Sequence, residues 1–154
     1  MIKIKMMERR SKGKDIIFLA GGVLMVIGAG CFAFGFIHPS LLKTVCWIYL
    51  LGSLMFSIPQ IMQSYENRSL TVRRLKKIQC FSDICFVLAG ISMVDTAYQL
   101  LEPLFVNEET YITFIYNKWV AILLIAALIE LYTTHRISHE LAKENPPQKK
   151  SPVD

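Results

Sequence analysis

Several absences narrow what this sequence can be. It has four cysteines but no Cys-x-x-Cys pair, and none of Cys31, Cys46, Cys80 and Cys85 falls in a connection where a thiolate could meet a substrate. That argues against a membrane thiol oxidoreductase. Cys80 and Cys85 are five residues apart, poorly placed on one helix for a bond, so all four read as small packing residues. His38, His135 and His139 lie in turns or flanks, which leaves no mid-span axial ligand for haem. His135 and His139 share a helix face at i, i+4, yet no further ligand cluster accompanies them, and a solvated helix end accounts for the spacing. No nucleotide, metal or nucleophile motif stands out, so no cofactor and no catalytic residue is expected. Alternating ten-residue strands, the mark of a membrane barrel, are also missing.

What the sequence has in abundance is apolar length. Of 154 residues, 53% are hydrophobic, and the mean hydropathy is +0.41. The surplus is collected in stretches at about 16–37, 44–62, 80–101 and 112–133. Each is near the roughly 20 residues needed to cross a ~30 Å hydrocarbon core. In lipid, unpaired backbone groups cost several kcal/mol each, so such segments must be helical. The expected fold is all-α, an integral membrane four-helix bundle over 15–139, preceded by a basic arm (1–14) and followed by a disordered polar tail (140–154) rich in proline and lysine.

Charge then assigns a topology. The net charge is +5, but fifteen of the seventeen cations flank the apolar stretches on one side, which favours a membrane over nucleic acid. Lys3, Lys5, Arg9, Arg10, Lys12 and Lys14 precede the first span. Arg68, Arg73, Arg74, Lys76 and Lys77 separate the second from the third, and Arg136, Lys143, Lys149 and Lys150 follow the fourth. The other connections hold only Lys43 and Lys118, with Glu102, Glu108 and Glu109 in the longer one. The positive-inside rule makes both termini and the 64–77 loop cytoplasmic in a bacterial inner membrane. The basic residues are also suited to lie against anionic lipid headgroups. Gly28-Ala29-Gly30-Cys31 loosely matches a lipoprotein cleavage site, but Gly28 stands where a branched apolar residue is usual and the run continues to Ile37, so the span is expected to be retained.

Local signals refine the spans. Asp15 is a plausible N-cap for span one, and His38-Pro39-Ser40 ends it in a tight hairpin. Trp47 and Tyr49 fall near the outer boundary and Tyr65 near the inner one; Pro59 should bend span two. Residues 64–77 lack glycine and proline, so spans two and three could extend beyond the membrane around a short turn, and the sequon Asn67-Arg68-Ser69 within that stretch faces the wrong side for glycosylation. Span four should start within the belt of Tyr111, Phe114, Tyr116 and Trp119. A Leu-Ala-Gly echo at 19–21 and 88–90, with Trp47 and Trp119, hints at a two-plus-two repeat. Ala29-x-x-x-Ala33, Cys31-x-x-x-Gly35 and Ser53-x-x-x-Ser57 would let helices approach closely, within one bundle or between copies.

Ionisable groups within a span are costly and are functional candidates by default. Here they are Asp83, Asp95 and Glu130. Asp83 and Glu130 lie near the cytoplasmic ends, within reach of Arg73, Arg74, Lys76 or Lys77, and Asp95 lies toward the outer end beside Gln99. Inter-helix polar pairing is the preferred role and a proton or substrate site the alternative. Span two, Trp47-Ile-Tyr-Leu-Leu-Gly52-Ser53-Leu-Met-Phe56-Ser-Ile-Pro59, resembles the Trp…Gly-Ser…Phe…Pro helix of small bacterial YrhK-like membrane proteins, a likeness covering spans one and two. That family implies no established activity. The functional expectation is a small non-enzymatic inner-membrane protein acting by helix packing or binding a membrane partner or a second copy; the alternative is a transporter or channel subunit using its intramembrane carboxylates.

Alkaline phosphatase fused at residue 70 or at the C-terminus should be inactive, and fused at residue 107 it should be active. Activity at residue 70 would overturn the assigned sidedness.

Overall fold

The computed structural model describes residues 2–35, 38–63 and 69–144, with side chains from residue 12 onward. Among the described residues the chain is helical and contains no strand. Helix α1 spans Ile2–Phe34, α2 Pro39–Ile61, α3 Leu70–Tyr98, α4 Glu108–Phe114 and α5 Trp119–Glu144, with a 3-10 turn at Glu102–Leu104. Four stretches are long and apolar enough to cross a membrane: Lys12–Phe34, Pro39–Ile61, Leu70–Tyr98 and Glu108–Glu144, the last taking in α4 and α5.

The helices alternate in direction. One end of the molecule therefore holds the start of α1, the end of α2, the start of α3 and the end of α5, and is called the basic end; the other, the aromatic end, holds the end of α1, the start of α2 and α4. The extensive interfaces run in a row, α1 on α2, α2 on α3 and α3 on α5. At the aromatic end α1 also meets α5, where the Phe32 and Trp119 rings stand edge to face at 5.1 Å. The core between them is built from Met25, Cys46, Tyr49, Phe86, Ala89, Met93 and Ala126. Large apolar side chains such as Val26, Phe34, Leu128 and Leu131 point outward.

Helix boundaries differ from those expected in four places. α1 runs unbroken through Asp15, so that residue is interior to the helix and caps nothing. The 1–14 arm is, from Ile2, the first part of the same helix; at ~1.5 Å per residue the whole is about 50 Å long, more than a hydrocarbon core requires. α3 begins at Leu70, ten residues before the expected span, because Ser69 supplies an N-cap: its hydroxyl accepts from the Val72 N–H at 3.4 Å. α2 stops at Ile61, two residues past Pro59, so only one of the two helices extends. The sequon and Tyr65 lie in the stretch 64–68, outside the described residues. Residues 140–144 continue α5 as helix, and 145–154 lie outside the described residues. The extension is held by Val72, Leu75 and Ile137 with Leu141 packed beside them, and by Glu144, which accepts from the Ser69 N–H at 3.1 Å.

The fourth difference lies in the aromatic belt, where span four starts as expected but in two pieces. Tyr111 and Phe114 belong to α4, a short helix, and α5 starts at Trp119 after Asn117, whose φ of 59° breaks the helix. Asparagine is among the few non-glycine residues that adopt this left-handed conformation readily. Its side chain accepts from the Trp119 indole N–H at 2.8 Å, which fixes the new start.

Small residues set the helix spacing, though mostly not the ones expected. A Cβ on Gly21 would stand 2.5 Å from Phe56 N and 2.8 Å from Gly52 O; one on Gly28 would stand 2.9 Å from the Tyr49 Cβ. α1 and α2 are thus in backbone contact at the Gly21/Gly52 crossing. Tyr49, expected at the boundary, is wholly buried against Gly28 and Gly90 and donates to the Phe86 carbonyl at 3.3 Å. Cys31 faces outward while Cys46 is buried, so the two thiols do not face one another, and all four cysteines are free. The Leu-Ala-Gly echo is not repeated in packing: Gly21 meets its hairpin partner α2, whereas Gly90 also meets α2, at Tyr49 and Leu50, rather than its own partner α5.

Gly21→Ala should destabilise the protein by about 1–3 kcal/mol, since the added methyl meets backbone rather than a movable side chain. Gly30→Ala, with nothing within 4 Å of the new Cβ, should be neutral or slightly stabilising. Unfolding of both variants in mixed detergent micelles checks the contrast.

Candidate functional site

The polar residues of the spans gather in two places. At the aromatic end Asp95 is 4% exposed. Its Oδ1 accepts from the Leu101 N–H and its Oδ2 from the Tyr111 hydroxyl, both at 2.8 Å. α3 ends beside it with Gln99 in the left-handed conformation (φ 53°), its N–H donating to the Asp95 carbonyl. Asp95 therefore binds the 99–111 connection and α4 to the top of α3, and both carboxylate oxygens are occupied. Nearby, Trp47 donates to the Tyr98 hydroxyl at 3.2 Å, and the Lys43 ammonium lies 5.5 Å from the Tyr98 ring centre. These contacts pair aromatic rings with each other's polar tips and with a cation.

The second place lies toward the basic end, where the helices spread. Glu130 of α5 is its centre. Its Oε1 accepts from the Gln60 amide of α2 at 2.6 Å, the Gln79 amide of α3 at 3.0 Å and the Thr134 hydroxyl one turn along α5 at 3.1 Å. One carboxylate oxygen thus joins three helices. Lys76 donates to the Gln79 carbonyl oxygen at 3.1 Å, which extends the chain of bonds along α3. Asp83, one turn beyond Gln79, is fully buried, and the Ser57 hydroxyl of α2 donates to its backbone carbonyl at 3.3 Å. Lys76 and Asp83 of α3 and Glu130 of α5 lie near one another.

The cations expected to hold these carboxylates are distributed unevenly. Lys76 is the one of the group that is buried; Arg73, Arg74 and Lys77 are exposed on α3, and Arg68 lies outside the described residues. The hydrogen-bond donors to Glu130 are two amides and a hydroxyl. Glutamines at 60 and 79 were not singled out from sequence, although each is a polar residue at the edge of an apolar run, a signal that could have marked them.

Four buried side-chain atoms have no hydrogen-bond partner among the described residues: Gln60 Oε1, Asp83 Oδ1, Asp83 Oδ2 and Glu130 Oε2. All four are oxygens. The Gln60 amide cannot be turned to relieve this, because turning it would set its oxygen against the acceptor-only Glu130. The cluster opens into a cleft of about 340 Å³ between α1 and α5. Asp15 and Phe18 form one wall, Thr134, Ile137, Ser138 and Leu141 the other, and Gln60, Gln63, Gln79 and Glu130 the floor. No group of three or more metal-ligating side chains occurs among the described residues.

No protein-family model matches the chain, no curated protein is significantly similar to it, and no solved structure gives a significant match. Function must therefore be argued from the site.

Asp95→Ala should cost about 2–4 kcal/mol, because it leaves two buried donors unpaired, and Tyr111→Phe about 1–3 kcal/mol, because it leaves one acceptor bare. Both should speed proteolysis within 99–111 before global unfolding in detergent. Equal protease resistance in Asp95→Ala and the parent chain would show that the connection is held by something else.

Proposed function

We propose that the chain is a small multi-pass protein of the bacterial inner membrane, with both termini cytoplasmic, that acts by binding within the bilayer rather than by catalysis. The observation that carries this is how its intramembrane hydroxyls are used. Tyr49 bonds the Phe86 carbonyl, Ser57 the Asp83 carbonyl and Ser82 the Ala126 carbonyl at 2.7 Å. Each joins one helix to the backbone of another, so none is placed as a nucleophile beside a base. The basic residues at the cytoplasmic ends hold the protein against anionic headgroups. Its outward apolar faces serve a membrane partner or a second copy. The likeness of span two to YrhK-like proteins agrees with such a role and selects no activity.

A transporter or channel subunit is the second reading, and one feature favours it: Asp83 and Glu130 leave three buried carboxylate oxygens without a hydrogen-bond partner among the described residues, and Glu130 lines a cleft. Their level favours the first reading, since Glu130, Gln60 and Asp15 share the height at which the apolar run of α1 begins. Liposomes containing the protein should pass protons, alkali cations and organic cations no faster than protein-free liposomes. Saturable flux that disappears in Asp83→Asn or Glu130→Gln would transfer the assignment to transport.

A further inference from the structure

We propose that the cleft between α1 and α5 binds a primary ammonium group carrying an apolar substituent, with Glu130 Oε2 and Gln60 Oε1 as its acceptors. The inference rests on the membrane reading above but not on whether the protein acts by partner binding or by flux.

The donor and acceptor balance comes first. Buried polar atoms are almost always paired, and each one left bare costs about 1–3 kcal/mol. Two of the bare atoms, Gln60 Oε1 and Glu130 Oε2, are oxygens of residues that line the cleft, and Gln60 is 3% exposed. What is missing from the site is therefore donors. Charge points the same way: Glu130 at the floor and Asp15 at the mouth both line the cleft, and among the described residues no lysine or arginine lines it. One more positive charge with N–H groups satisfies both conditions. A bare metal ion would need more ligands than the described residues group together.

Shape selects the rest of the ligand. The cleft, at about 340 Å³, falls at the small end of ligand sites. Above the polar floor stand Phe18, Ile137 and Leu141. The Phe18 ring is stacked on Phe56 at 4.4 Å, so it is a fixed wall and not a loose one. An amine with a short alkyl tail would set its N–H groups on the floor and its tail against these three side chains. The level of Asp15, where the apolar run of α1 begins, is also where lipid headgroups lie. The ammonium could thus be that of an ethanolamine headgroup or of a free amine.

The test uses the full chain in phosphatidylcholine nanodiscs, titrated calorimetrically with n-hexylammonium, with tetramethylammonium (charge without N–H) and with n-hexanol (tail without charge). Saturable binding of n-hexylammonium alone is expected. Glu130→Gln and Gln60→Leu should each weaken it about tenfold or more. Ser138→Phe, which fills the cleft without touching the cluster, should abolish it, and Gly30→Ala should leave it unchanged. Helical circular dichroism confirms that each variant is folded. Adding phosphatidylethanolamine to the nanodiscs assigns the source: competition identifies the headgroup, and an unchanged affinity identifies a free amine, either of which supports the site. The proposal is overturned if n-hexylammonium does not saturate, if tetramethylammonium binds as well, or if folded Ser138→Phe binds like the parent. Failure of the sidedness assigned by the reporter fusions would instead overturn the topology of the proposed function while leaving the titration interpretable.

Discussion

Helices in lipid gain nothing from hiding apolar side chains from one another, because the surroundings are equally apolar. For a bundle placed in lipid, as proposed, what remains is close backbone approach and hydrogen bonds that hydrocarbon cannot replace, and both are present in this architecture. Gly21 and Gly52 bring α1 and α2 into backbone contact, and Gly28 receives the Tyr49 ring. Tyr49, Ser57 and Ser82 then bind backbone carbonyls on the next helix in the row. α3, which receives bonds from α2 and donates to α5, is the helix through which both hairpins are joined.

The two polar centres use the same chemistry to opposite ends. Asp95 has both oxygens filled by donors from the connection it anchors, and a carboxylate so satisfied is a structural part. Glu130 has one oxygen saturated by three donors and the other bare. Saturating Oε1 with neutral amides fixes the side chain in place while leaving its charge only partly compensated. Such a group is held in position for a ligand, and an apolar substitute could not reproduce it.

Span number, helical character and the clustering of positive charge were legible because each depends on composition over about 20 residues, which tertiary context does not alter. Boundaries were less legible. Ser69 and Asn117 decide where α3 and α5 begin through one hydrogen bond or one backbone angle each, and such local choices leave little trace in a hydropathy profile. Asp15 looked like a cap because aspartate often is one, yet the residues before it form helix just as well and the helix runs through.

The sequence by itself determined that Asp83, Asp95 and Glu130 would be costly to bury and therefore meaningful. It could not determine what each meets, because partners lie far along the chain: Gln60 and Glu130 are 70 residues apart. Only the packing of α2, α3 and α5 turned two unremarked glutamines into the donors that orient Glu130. Only the spreading of α1 from α5 at the basic end left a cleft above them. Chain composition sets the cost of a buried charge, and the three-dimensional arrangement sets whether that cost is relieved from within or left for a ligand.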